Sequence, residues 1–79
     1  MAEKHLTEIE QYLIDKVREV RTTKKVSQMV LSQKIDMSDT FVGHVESKKK
    51  AAKYNVNHIN AIAKALDCSV KDFFPDKPF

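Results

Sequence analysis

The run SQMVLSQKIDMSDTFVGHVESKK, residues 27–49, carries the reading of the fold. Ser27 can accept an orphan backbone N–H of a first helical turn, and Val30, Leu31 and Ile35 behind it mark one face of a short helix that ends at Asp36. Ser38 is a second cap candidate; Phe41, Val42 and Val45 then form another short apolar stripe, closed by the polar run SKKKAAK over 47–53. Two short amphipathic helices are therefore expected. The turn between them passes through Asp36, a residue type that tolerates the left-handed backbone conformation better than most.

The flanks extend the pattern. Thr7 with Glu10 three residues on is a capping box, and Ile9, Leu13, Val17 and Val20 recur at helical spacing, so a first helix is expected over about 7–23. Glu8, Glu10 and Asp15 stand towards its start and Arg21, Lys24 and Lys25 near its end, as the helix dipole favours. Downstream, Asn55 caps a stretch in which Val56, Ile59, Ile62, Ala63 and Leu66 share a face. Ser69 and Asp72 offer another capping box before Val70, Phe73 and Phe74, and Pro75 and Pro78 stop that turn. With no alternating strand pattern, the expectation is an all-α, five-helix fold. It forms a single domain over 1–79, with its core in 7–74 and a short tail at 75–79.

Composition narrows the function classes. Seventy-nine residues allow one compact unit, and a single glycine leaves little for tight hairpins or phosphate-cradling loops. Cys68 stands alone, so no internal disulfide can form, which suits a reducing cytosol. No apolar run is long enough to span a membrane, and MAEKHLTEIEQYL lacks the apolar core of a signal peptide, so a cytoplasmic protein is expected. His5, His44, His58 and Cys68 have no metal-ligand spacing, and no serine or cysteine has a base at a recognisable distance. Neither an enzyme nor a metal or other cofactor is expected.

Two short helices joined by a tight turn are the helix-turn-helix unit, whose second helix enters the major groove of DNA. Residues 27–49 resemble the DNA-binding domains of the phage repressor and Cro-like family: Ser27 and Gln28 open the first helix, Leu31 holds the core position and Ser32 the small position where the helices cross. Val42, Val45 and Glu46 complete the second helix. IAKAL over 62–66 and SVKDFF over 69–74 resemble that family's fourth and fifth helices. The family often has glycine in the turn and again after the glutamate; here Asp36 and Lys48 stand in those places, which leaves the course of the following loop open.

With Val42 at zero and about 100° per residue, Ser38, Phe41, Val42 and Val45 fall on one inward arc. The opposite arc centres on Thr40, Gly43 and Ser47, with Asp39 and His44 at its edges. The resemblance implies that the second helix, over 38–46, reads bases, with Asp39, Thr40, Gly43 and His44 facing the groove. Thr40 can hydrogen-bond a base or set its methyl against thymine, and Asp39 can accept from cytosine N4. Phosphate contacts are expected from Ser27, Gln28, Ser38 and Ser47 and from the lysines Lys48, Lys49, Lys50 and Lys53. Arg21 and Glu46 are implied to form a structural ion pair.

The resemblance implies a small transcriptional regulator of the repressor kind, whose partner is double-stranded DNA and which acts as a homodimer on a two-fold operator. The Phe73, Phe74 and Phe79 cluster is a candidate dimer surface; alternatively Phe73, with or without Phe74, simply closes the core. The same fold also serves as an antitoxin, so a protein-binding module with DNA binding secondary or lost is the alternative. Charge favours DNA. Residues 1–15 carry one lysine against four acids, residues 16–53 ten basic against four acidic residues, and residues 54–79 three of each. The positive segment coincides with the two short helices and the loop after them.

Overall fold

The structure, a computed structural model, describes residues 4–79; residues 1–3, included in the expected domain, lie outside the described residues. The first helix, α1, spans Glu8–Thr23 behind a complete Thr7–Glu10 capping box. Its buried stripe is Ile14, Val17 and Arg21. Leu13 and Val20 pack at the edge of the core, whereas Ile9 is left exposed. The inward face is thus rotated slightly from the expected one, and it ends on a charged residue.

α2, Gln28–Lys34, starts at Ser27, whose hydroxyl accepts the Val30 N–H at 3.1 Å. Leu31 and Ser32 are its buried residues, and Val30 faces out. α3 spans Phe41–Glu46, three residues shorter than the expected 38–46. Ser38 is exposed and lies ahead of the helix rather than on its inward arc; its carbonyl accepts the Phe41 N–H at 2.9 Å. Thr40, the residue at the N-cap, makes no side-chain cap bond. The cap comes from the preceding helix instead: Ser32 Oγ, fully buried, accepts the Val42 N–H at 3.0 Å while donating to the Gln28 carbonyl at 2.8 Å.

α4, Val56–Ala65, is capped by Asn55 and buries Ile59, Ile62 and Ala63, with Val56 exposed at its first position. In place of a fifth α-helix there is a single 3₁₀ turn, Val70–Phe73, behind a Ser69–Asp72 capping box. Pro75 explains the difference: its ring disfavours α geometry at the preceding residue, and Phe74 is extended, with φ −108° and ψ 149°. The described residues thus form four α-helices and one 3₁₀ turn, with no strand.

Three of the helices end alike. Lys25, Asp36 and Asp67 each take positive φ, between 55° and 59°, one residue past a helix C-cap. The next amide bonds back to the carbonyl three residues inside the helix: Val26 to Arg21, Met37 to Ser32, Cys68 to Ala63. These are Schellman stops, a geometry usually given to glycine. A chain with one glycine makes all three with lysine or aspartate.

Leu31, Ile35, Val42, Ile59, Ile62, Leu66 and Phe73 meet Val17 in one core. α2 packs on α3 and α4, and the 3₁₀ turn closes against α1 and α4. Phe73 is fully buried and Phe74 packs at the core edge, so of the two readings of the aromatic cluster the core reading describes both. Phe79, 65% exposed, turns back to set its ring edge-on to Tyr12 at 5.9 Å. Among the described residues no helix is long and apolar enough to cross a membrane.

Candidate nucleic-acid interface

α3 is held from three directions. At its start, Ser32 fixes the Val42 amide. At its end, Glu46 receives a two-pronged bond from Arg21, Nη2 to Oε1 at 2.8 Å and Nε to Oε2 at 3.0 Å. The same guanidinium donates through Nη1 to the Val26 carbonyl at 2.9 Å, tying the α1–α2 turn into the contact. Both side chains of the pair are nearly buried, at 9% and 5% exposure, and such forked charge-assisted bonds are the strong ones. A carboxylate at a helix C-terminus opposes the helix dipole; the arginine offsets it. The third anchor is Gln28 at the start of α2, whose amide nitrogen donates to Glu46 Oε1 at 2.9 Å.

That last contact bears on Gly43. A Cβ at Gly43 would stand 3.1 Å from Gln28 Oε1, so the Gln28 side chain runs close over the α3 backbone at this point and leaves no room for a larger residue without a shift. The helix-interior glycine thus has a packing partner within the protein as well.

Tyr54, in the loop ahead of α4, lies near the pair. Its hydroxyl is buried without a hydrogen-bond partner, and burial, with Glu46 adding to it, pushes its pKa up.

Asp39, Thr40 and His44 are exposed. The first two lie in the turn ahead of α3 rather than within the helix, but Thr40 stays in helical phase, its carbonyl accepting the His44 N–H at 2.9 Å. Asp39 is not free: Oδ1 accepts from Gln33 Nε2 of α2 at 3.2 Å. After α3 the chain passes Ser47, whose hydroxyl accepts the Lys49 N–H at 3.2 Å, into a loop on which Lys48, Lys49 and Lys50 are all exposed. Lys53 is engaged with Glu10 of α1, 3.2 Å from both carboxylate oxygens. Gln33, the Ser32 hydroxyl and Lys4, which also reaches this loop, are not legible in the sequence. Each acts on residues outside its own segment of the chain, where no periodicity registers.

His58 packs against Phe41 with ring centroids 4.7 Å apart and the ring planes inclined by 55°. Its Nδ1 accepts the Asn55 N–H at 3.0 Å, so the imidazole completes the α4 capping box. That bond requires an unprotonated Nδ1, and burial lowers the histidine's pKa. A group with a lower pKa when folded contributes stability that is complete above its unfolded value of about 6.5 and is lost as pH falls through the folded value. The melting temperature is expected to drop between pH 7 and pH 5, and to drop less in His58→Gln, whose amide keeps a non-titrating acceptor in the capping box. Equal drops in both proteins would clear His58 of the effect.

The profile of the Cro/C1-type helix-turn-helix DNA-binding domain matches residues 16–78. Among solved structures, the restriction-modification controller protein C.AhdI from Aeromonas hydrophila is 27% identical, with a TM-score of 0.69 over 85% of this chain and 97% of its own. The clp gene regulator ClgR from Corynebacterium glutamicum is 21% identical, with a TM-score of 0.71 over 85% of this chain and 69% of its own. The P22 c2 repressor, solved with a synthetic operator, is 22% identical, with a TM-score of 0.63 over 82% of this chain and 96% of its own. A search of curated protein sequences finds no match. With its family profile matched from the middle of α1 to the C-terminal tail, the chain belongs to the Cro/C1-type helix-turn-helix DNA-binding domain family.

Proposed function

We propose that α2 and α3 are the helix-turn-helix, that α3 and the turn before it dock in the major groove of double-stranded DNA, and that the chain is a small transcriptional regulator acting as a repressor. The observation that carries this is a set of exposed side chains, Asp39 and Thr40 just ahead of α3, His44 within it and Lys48, Lys49 and Lys50 on the loop after it, around a helix anchored at both ends by buried contacts. The similar proteins fit the role: a restriction-modification controller, a gene regulator and a repressor solved in complex with a synthetic operator.

In this reading Thr40 and His44 contact base edges. Asp39, with one oxygen held by Gln33, offers the other to an exocyclic amine. Gly43 lets the helix backbone lie close to the groove. Ser27, Ser38, Ser47 and the three loop lysines bind phosphate. Gln28 and Lys53 are engaged by Glu46 and Glu10 but each keeps an N–H donor for phosphate; the Lys53 pair is also exposed and so weak enough to exchange. One short recognition element reads few base pairs, so the active species is a homodimer on half-sites about one helical turn apart. The domain is the whole of 1–79, and the seat of Phe79 on Tyr12 ties its tail to α1.

Fluorescence anisotropy against mixed-sequence and selected duplexes tests this. Lys49→Ala and Lys50→Ala are expected to weaken every duplex alike and to lower the salt slope by about 0.9 for each phosphate left without its lysine. Thr40→Ala or His44→Ala should instead change preference at one base-pair position, by up to about 1–3 kcal/mol. Absence of binding to any duplex at about 50 mM salt would overturn the proposal.

A further inference from the structure

The loop that carries the lysines has no glycine and no helix of its own, and its course is set from the other end of the chain. Lys4 donates from Nζ to the Val45 carbonyl at 2.6 Å and to the Ala52 carbonyl at 2.8 Å. Its backbone N–H donates to the Lys48 carbonyl at 2.9 Å. One residue thus holds the last turn of α3, the first loop lysine and the far end of the loop, across 41 and 48 residues of sequence. Glu10 adds a second tie through Lys53. The Val45 carbonyl is one of the orphan acceptors at the end of α3, where a cation is also favoured by the helix dipole.

We infer that Lys4 is a positioning residue for DNA binding: its ammonium group shapes the 47–53 loop so that Lys49 and Lys50 present their charges to the phosphate backbone, without itself touching DNA. The inference rests on the proposal that these two lysines bind phosphate. Two further facts support it. Two of the three ammonium N–H groups are committed to carbonyls. Burial, with Lys53 nearby, also lowers the Lys4 pKa, as for a cation drawn into the protein rather than held out to a polyanion. Three free lysines on an untethered loop would spread over many orientations, and ordering them on binding costs affinity.

The test is a double-mutant cycle with the full chain and a fluorescein-labelled mixed-sequence duplex of about 25 base pairs, titrated from 50 to 200 mM salt. Lys4→Met keeps the aliphatic stem and removes the ammonium. It is expected to weaken binding about fivefold in the wild-type background and less than about twofold in Lys49→Ala/Lys50→Ala, because the contacts it positions are then gone. Equal losses in the two backgrounds, or no loss in the wild type, overturn the positioning role. If Lys49→Ala/Lys50→Ala leaves affinity and salt slope unchanged, the phosphate reading fails and the role of Lys4 falls with it. Hydrogen exchange over residues 47–53 examines the clamp without DNA: Lys4→Met should speed exchange there and leave the α4 amides unchanged, and unchanged loop exchange would remove the clamp whatever the affinities show.

Discussion

Glu46→Ala is expected to cost about 3–5 kcal/mol of folding stability, the largest effect of any polar substitution in the domain. The carboxylate is nearly buried and accepts three side-chain hydrogen bonds, two from Arg21 and one from Gln28. Its removal leaves the arginine charge in a site closed to water, with only the Val26 carbonyl still bonded to it. A folded chain of 79 residues has a total stability of roughly 4–12 kcal/mol, so the variant should lose a large share of it, and nearly all of it at the lower end of that range. Urea unfolding followed by circular dichroism measures the loss, and a cost below about 1 kcal/mol would show that the pair is far better hydrated than its burial indicates. The companion variant Arg21→Met/Glu46→Leu separates charge from packing. With both charges replaced by apolar groups, most of the lost stability should return, because what is costly is one buried ion without its partner.

Ser32→Ala carries the second largest expectation, about 1–3 kcal/mol. Removing one oxygen atom from a fully buried side chain leaves little void, so the cost comes from the Val42 amide, which loses its only acceptor in a place water does not reach. Since α3 has no cap of its own, the damage should be local. Hydrogen exchange at Val42 should accelerate by more than that of the α1 and α4 core amides, alongside the fall in the urea midpoint. Uniform acceleration across the chain would mean that Ser32 supports the fold in general and not the start of α3.

These two residues also mark where the sequence was legible and where it was not. Thr7, Ser27, Asn55 and Ser69 each cap an element where expected, because a cap is a contact within three residues and can be read within one turn. Ser38 misled for the same reason. It has the residue type of a cap, but the hydroxyl that serves α3 comes from Ser32, ten residues back. The all-α class and the core positions Val17, Leu31, Ile59, Ile62 and Phe73 follow from periodicity. Ile9, Val30 and Val56 obey the same periodicity yet stay exposed, since a stripe extends past the edge of the surface it packs on. The Arg21–Glu46 pair was reached through the family resemblance, as nothing in the spacing of two residues 25 apart announces a contact. Lys4, whose side-chain partners among the described residues lie 41 and 48 residues away, gave no signal at all.

The close passage of Gln28 over Gly43 limits how this domain can change its DNA preference through descent or engineering. A Cβ at position 43 would stand 3.1 Å from Gln28 Oε1, so the end of that side chain would have to give by a few tenths of an ångström, while its Nε2 holds Glu46. Substitutions at 43 are therefore coupled to the Gln28–Glu46 contact. Thr40 and His44 are exposed and open to single changes, and a change at Asp39 gives up only an exposed bond from Gln33. On the proposed docking, new base preferences can arise along that short row while the joint between the two helices stays as it is.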